Sequence, residues 1–216
     1  MATHALGIVD VQCGFMAAAE GERLGRAGFG ELPLPTGAQV VTPCNRLLAA
    51  AAAQDWVTFT TQDWHPPQTA HFGAPPNYST TWPVHCVAGT LGAQLHPELV
   101  VPAGSLTIHK GMEVLTNGAD DTSYSACNGY DVAGVGLADA LRTAGVTHVY
   151  LAGLAFDYCV GYTALDLRNA GFAVTVLEDA TESIGEASRV QMRAHLLEIG
   201  VVLAPSTSVA YPKDEA

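Results

Sequence analysis

Four groups of residues in this 216-residue chain have types and spacings that can do chemistry. Asp10 closes the apolar run of Gly7-Ile8-Val9-Asp10-Val11-Gln12. A carboxylate at the end of a buried strand is costly unless it is paired or used, because desolvation favours the neutral form. Taken alone, such an aspartate is more often a residue that ties a loop. The second group is Gln62-Asp63-Trp64-His65-Pro66-Pro67-Gln68-Thr69-Ala70-His71, followed by Trp82-Pro83-Val84-His85-Cys86. Asp63, His65, His71 and His85 bring one oxygen and three nitrogen donors into a single connection, and Asp-x-His lets two side chains of an extended segment project to the same side. That donor set suits Zn, Fe or Mn. Histidines are common in loops, but three beside an aspartate in a span with little other charge favour a metal. The other histidines, His4, His96, His109, His148 and His195, are scattered and form no such group.

The third signal is Lys110, directly after Leu106-Thr107-Ile108-His109, in a chain with only 9 Lys and Arg. A lysine there is usually a surface charge, yet it can also lower the pKa of a neighbouring acid or thiol. The fourth is Leu151-Ala152-Gly153-Leu154-Ala155-Phe156-Asp157-Tyr158-Cys159-Val160. A strand ends, a tight small-residue turn follows, and Cys159 falls at the first turn of the next helix. Backbone N–H groups and the helix dipole stabilise a thiolate there, so a lowered thiol pKa is predicted, and the same N–H groups serve an oxyanion. Cys13, Cys44, Cys86 and Cys127 read as buried structural thiols.

These groups need elements to hold them. Apolar runs predict strands over Leu6–Val11, Trp56–Thr61, Leu106–His109, Val149–Ala152, Val174–Leu177 and Val201–Leu203. Helices are predicted over Pro43–Ala53, Val135–Thr143, Tyr158–Asn169 and Ala187–Ile199. Thr42 reads as an N-cap with Pro43 at the first helical position, and Gly145 and Gly171 as C-terminal caps. The alternation predicts a doubly wound, Rossmann-like α/β sheet, whose ligands bind at the carboxyl ends of the strands. The stretches Gly14–Thr36, Gln62–Gly104 and Gly111–Tyr130 read as long functional loops.

The chain is 49% hydrophobic and 14% charged, against about 25% charged in ordinary domains, so disorder is excluded. Its length predicts one compact domain over residues 1–216, with a polar tail at 211–216. A net charge of −12 disfavours nucleic acid and anionic membrane surfaces as partners. Apolar stretches break well before about 18 residues, so no span is predicted. No secretory signal opens the chain, and five cysteines form no CxxC pair. A reducing, cytoplasmic location is the expectation. The apolar excess leaves room for a homo-oligomer interface.

Together the motifs resemble the nicotinamidase branch of the isochorismatase-like cysteine hydrolases, from Ala5 to Pro205. The resemblance rests on five pieces in the same order: VDVQ with Asp10; DWHP with His71; Trp82-Pro83-Val84-His85-Cys86; Lys110-Gly111; and Gly153 to Val160. It implies a three-layer fold with a six-stranded parallel sheet, Asp10, Lys110 and Cys159 as the catalytic set, and a cis peptide between Leu154 and Ala155. The N–H groups of Ala155 and Cys159 would then form the oxyanion hole. It further implies one divalent metal, zinc before iron or manganese, on Asp63, His65 and His85, with His71 completing the ligands in some members. The implied reaction is hydrolysis of nicotinamide through a thioester on Cys159, with Phe15, Trp82, Tyr124 and Tyr158 walling the ring. Members commonly continue VDVQ with Asn-Asp-Phe, whereas here it is Cys13-Gly14-Phe15, and Ala17–Ala27 looks inserted. The alternatives within the fold are isochorismatases and N-carbamoylsarcosine-type amidohydrolases, against which the Asp-x-His site argues. A non-catalytic metal-binding or thiol protein is disfavoured by Asp10 and Lys110 at strand ends.

Overall fold

Segments rich in β-branched and aliphatic residues form the strands. In the computed structural model, which describes residues 4–114 and 123–209, these are β1 (His4–Val9), β2 (Val57–Asp63), β3 (Leu106–Lys110), β4 (His148–Leu154), β5 (Ala173–Glu182) and β6 (Val202–Ala204). They make one sheet in the order β3-β2-β1-β4-β5-β6, with every pairing parallel. The helices are α1 (Ala18–Leu24), α2 (Val41–Ala53), α3 (Leu137–Thr143), α4 (Gly161–Asn169) and α5 (Glu186–Glu198).

Strand side chains alternate between faces, and β1 shows both destinations. Leu6 and Ile8 pack with Cys44, Leu47, Leu48 and Ala51 of α2. Ala5 and Val9 belong to the opposite cluster, with Leu141 of α3, Leu167 of α4 and Leu196 of α5. The result is the expected three-layer doubly wound arrangement. The strand order reverses at β1 and β4, which opens a crevice at their carboxyl ends.

Local structure departs from the sequence reading in several places. Gly14–Thr36 is not wholly irregular: Ala18–Leu24 is helical, built from good helix formers and closed by Gly25. Helix α2 begins at Val41 after a 3₁₀ turn over Gly37–Val40, so Thr42 is inside the helix and makes no cap. Pro43 is tolerated in that first turn because its N–H groups have no intrahelical acceptor. The helix carrying Cys159 starts as a π turn, Phe156–Val160, before α4. Strand β5 runs five residues beyond Leu177, past a register irregularity in its pairing with β4. Gly145 and Gly171 do follow α3 and α4 in the left-handed region, with φ of 79° and 96°. The polar tail at 211–216 and positions 115–122 of the third excursion lie outside the described residues. Among those described, no helix is long and apolar enough to cross a membrane.

Candidate active site

Register brings the charged groups together. Asp63 and Lys110 end β2 and β3 as direct partners. Asp10 leaves β1 at φ 48°, in the left-handed region, and Cys159 sits in the turn after β4. The Lys110 Nζ lies 2.8 Å from Asp10 Oδ2 and 2.5 Å from Asp63 Oδ1. It also donates to Cys159 Sγ at 3.2 Å and to the Ser123 carbonyl at 3.2 Å. Asp10 and Lys110 are fully buried, while Cys159 is 7% exposed. Thr61 holds Asp10 from β2: its hydroxyl donates to Oδ1 at 2.5 Å and accepts the Asp10 N–H at 3.1 Å.

The electrostatics follow from one ammonium facing two carboxylates and a thiol, all of them buried. Burial pushes Asp10 up, Lys110 pulls it back, and Asp63 adds repulsion, leaving its carboxyl above the usual range. Burial would also raise Asp63, but Lys110, His65 and His85 outweigh it and hold this carboxyl well below that range. Burial works against the Lys110 charge, yet Asp10, Asp63 and Cys159 keep it protonated far above the ordinary lysine value. The predicted lowering of Cys159 does not occur. Burial pushes the thiol well up, Lys110 opposes it, and Asp10 and Asp63 reinforce it. Its resting form is therefore a thiol that needs a base.

Backbone geometry shapes the nucleophile turn. The Leu154–Ala155 peptide is cis, as the resemblance implied. The Ala155 carbonyl accepts the N–H groups of Tyr158 and Val160, both at 3.0 Å. Buried Asp157 accepts from the N–H groups of Ile184 and Gly185 and from the Ser188 hydroxyl, which ties this turn to the start of α5.

The histidines form a second cluster beside Asp63. His65 Nδ1 lies 3.0 Å from the Gly111 carbonyl and His85 Nδ1 lies 2.7 Å from the Pro83 carbonyl. With Nδ1–H donating to each carbonyl, both Nε2 lone pairs are free, the arrangement that orients metal-binding imidazoles. These Nε2 atoms are 3.6 and 3.8 Å from Asp63 Oδ2. One donor atom from each of His65, His71 and His85 lies within 4.8 Å of the others. His65 Nε2 is buried with no hydrogen-bond partner in the protein, and burial with the neighbouring His65 holds His85 down to about 3, so its ring is neutral. A buried, inward-facing set of imidazole donors beside a carboxylate fits a divalent cation. Gly111 is required here: its φ is 66°, and a Cβ would lie 2.5 Å from the His65 ring.

Both clusters meet one small pocket. The aromatic residues expected at its walls, Phe15, Trp82, Tyr124 and Tyr158, all line it, with Asp63, His71, His85, Ala155 and Cys159. Trp82 Nε1 donates to the Tyr124 hydroxyl at 2.9 Å, and the Trp82 and Tyr158 rings meet edge-on at 5.0 Å. Sequence reasoning missed Leu32, Leu34, Ser123, Leu154 and Ile184, which complete the lining. The alternation of Leu32-Pro33-Leu34 was the available signal for the first two. It also missed Gln12, whose amide pairs with the Asp63 backbone through Nε2 to the carbonyl at 3.0 Å and Oε1 to the N–H at 2.8 Å. The scattered histidines stay outside this site.

The Isochorismatase domain model matches residues 4–206. The nicotinamidase/pyrazinamidase of Mycobacterium tuberculosis is 36% identical over 200 residues, covering 91% of this chain and 97% of that protein. The pyrazinamidase of Pyrococcus horikoshii in complex with zinc is similar in structure with a TM-score of 0.76, at 29% identity over 94% of this chain and 99% of that one. PnC1 from L. infantum in complex with nicotinate gives a TM-score of 0.74 at 33% identity, covering 96% and 95% of the two chains.

Proposed function

The chain belongs to the isochorismatase family, and from that premise we propose that it is a nicotinamidase, an amidohydrolase that converts nicotinamide to nicotinate and ammonia. The observation that carries this reading is a buried ammonium, Lys110, within reach of Asp10, Asp63 and Cys159 beside a buried histidine cluster. The nicotinamidase/pyrazinamidase relative and the nicotinate-bound neighbour support the substrate. Deamidation of nicotinamide feeds NAD salvage. In this reading residues 1–216 work as one domain in the reducing cytoplasm, where the five free cysteines are stable.

Asp63, His65, His85 and His71 are the residues that would hold one divalent metal. We assign zinc, supported by the zinc-bound neighbour, with iron and manganese compatible with the same donors. When bound, the metal would supply a Lewis-acidic charge beside the pocket, suited to a pyridine nitrogen. Phe15, Trp82, Tyr124 and Tyr158 enclose the flat ring and exclude water, so the carboxamide reaches Cys159 in a fixed orientation.

Asp10 is the base that the raised Cys159 thiol requires. It takes the thiol proton, the thiolate attacks the carboxamide carbon, and Lys110 stabilises the negative charge of the pair. The N–H groups of Ala155 and Cys159 serve the oxyanion. Asp10 returns the proton to departing ammonia, leaving a thioester on Cys159. Asp10 then deprotonates a water that attacks the thioester, and nicotinate leaves as the thiol re-forms. A carboxyl raised above its usual range fits a group that must both take and give a proton.

Ammonia release should be measured in parallel on nicotinamide, pyrazinamide, N-carbamoylsarcosine and a simple aliphatic amide. Nicotinamide is expected to be hydrolysed well ahead of the last two. Preference for N-carbamoylsarcosine, or no release from any aromatic amide, would overturn the assignment.

A further inference from the structure

Glu31 lies between β1 and α2, and its carboxylate is set into a notch that two glycines leave open. Its Oε2 accepts the Cys86 N–H at 2.8 Å. A Cβ on Gly92 would collide with this carboxylate, and one on Gly14 would lie 2.8 Å from Oε2. Cys86 is the residue after His85, fully buried, and held at φ 45°, a conformation uncommon for any residue with a side chain. Its carbonyl accepts the His65 N–H at 3.1 Å. Cys86 therefore links both histidines, following His85 in the chain and accepting the His65 N–H at its carbonyl, while Glu31 holds its N–H.

The same stretch also builds a wall of the pocket. The Leu32 N–H donates to the Gly14 carbonyl at 3.0 Å and the Leu34 N–H to the Phe15 carbonyl at 2.8 Å. Leu32, Leu34 and Phe15 line the pocket. Glu31 thus joins two loops that reach the site from different strands, the one after β1 with its apolar wall and the one after β2 with His85.

We propose that Glu31 is a positioning residue: its carboxylate locks the His65–Cys86–His85 frame against the Leu32–Leu34 wall and so sets the affinity for metal and for the substrate ring. It takes no part in proton transfer. The kinetic side of this inference rests on the nicotinamidase reading, whereas the metal-binding side does not.

The test compares Glu31→Ala, Glu31→Gln and Gly92→Ala with the parent protein, reading zinc affinity by chelator competition together with KM and kcat for nicotinamide. Removing a group that supports metal ligands from outside is expected to weaken zinc about tenfold. KM should rise by a similar factor while kcat changes less than about twofold, because Asp10, Lys110 and Cys159 are untouched. Glu31→Gln keeps an acceptor oxygen for the Cys86 N–H and should restore both quantities. Gly92→Ala evicts the carboxylate without deleting it and should reproduce the alanine variant, which keeps the test valid if Glu31→Ala fails to fold. Parental zinc affinity in both Glu31→Ala and Gly92→Ala would overturn the proposal, as would lower kcat at unchanged KM in the two. If the parent releases no ammonia from nicotinamide, the nicotinamidase reading fails, and zinc affinity still decides the role of Glu31.

Discussion

Replacing Lys110 with methionine isolates the electrostatic core of this site. The side chain keeps its volume and loses its charge, leaving Asp10 and Asp63 facing each other with 0% and 3% exposure. Breaking a buried ion pair by removing one partner costs about 3–5 kcal/mol, because the surviving charge has neither water nor a counterion. For a chain of this size each kcal/mol corresponds to about 2–4 °C in Tm, so a drop of about 6–20 °C is expected in metal-free protein. Activity should vanish as well, since the thiolate and the Asp10 carboxylate lose their shared cation. Adding Asp10→Asn to Lys110→Met removes one of the stranded charges and should recover part of the lost Tm without restoring ammonia release. That partial recovery separates charge burial from loss of packing. Differential scanning calorimetry and an ammonia assay on the three proteins suffice. A Lys110→Met protein that melts within about 2 °C of its parent, or a double variant less stable than the single one, would refute the reasoning.

Other consequences are equally measurable. Cys159→Ala should abolish ammonia release while leaving circular dichroism and Tm close to the parent; full turnover in that variant would remove Cys159 as nucleophile. His65→Ala and His85→Ala should each lose stoichiometric zinc by elemental analysis, and a full retained equivalent in either would rule out the site built on Asp63 and the histidines. Away from the pocket, buried His96 donates from Nε2 to Glu20 at 3.1 Å and accepts the Glu98 N–H at Nδ1, which requires a neutral ring. Burial lowers its pKa in the fold despite Glu20. The unfolded chain therefore binds the proton more readily, so this contribution is complete above the ordinary histidine value and declines as pH falls through it. Denaturant melts from pH 8 to pH 5 should show a shallower acid loss in His96→Asn than in the parent, and identical slopes would contradict this linkage.

The central strands were legible because burial on both faces favours apolar residues, so Ile8-Val9 and Val149 to Ala152 stand out as runs. The chemistry was legible because charge is scarce: Lys110 and Asp63 interrupt apolar surroundings where an unpaired charge would be expelled. Helix boundaries were less so. Thr42 and Pro43 carry start signals, yet the preceding 3₁₀ turn moves the start of α2 to Val41. The helix α1 was hidden because seven residues with no capping side chain give a weak periodic signal.

By itself the sequence determined which residue types exist to do chemistry, that they follow strand ends, and which family pattern they resemble. Local types and spacings suffice for that, since each motif is contiguous. Only the tertiary structure decided the ionisation of Cys159. A helix start beside a lysine predicts a lowered thiol pKa, but parallel register also delivers Asp10 and Asp63, and burial with two carboxylates reverses the sign. The same holds for Gln12 and Glu31, whose partners lie 51 or more positions away for Gln12 and 55 for Glu31. Their roles arise from contacts between loops of different strands, and the spacing of residues along one chain carries no record of which loops will meet.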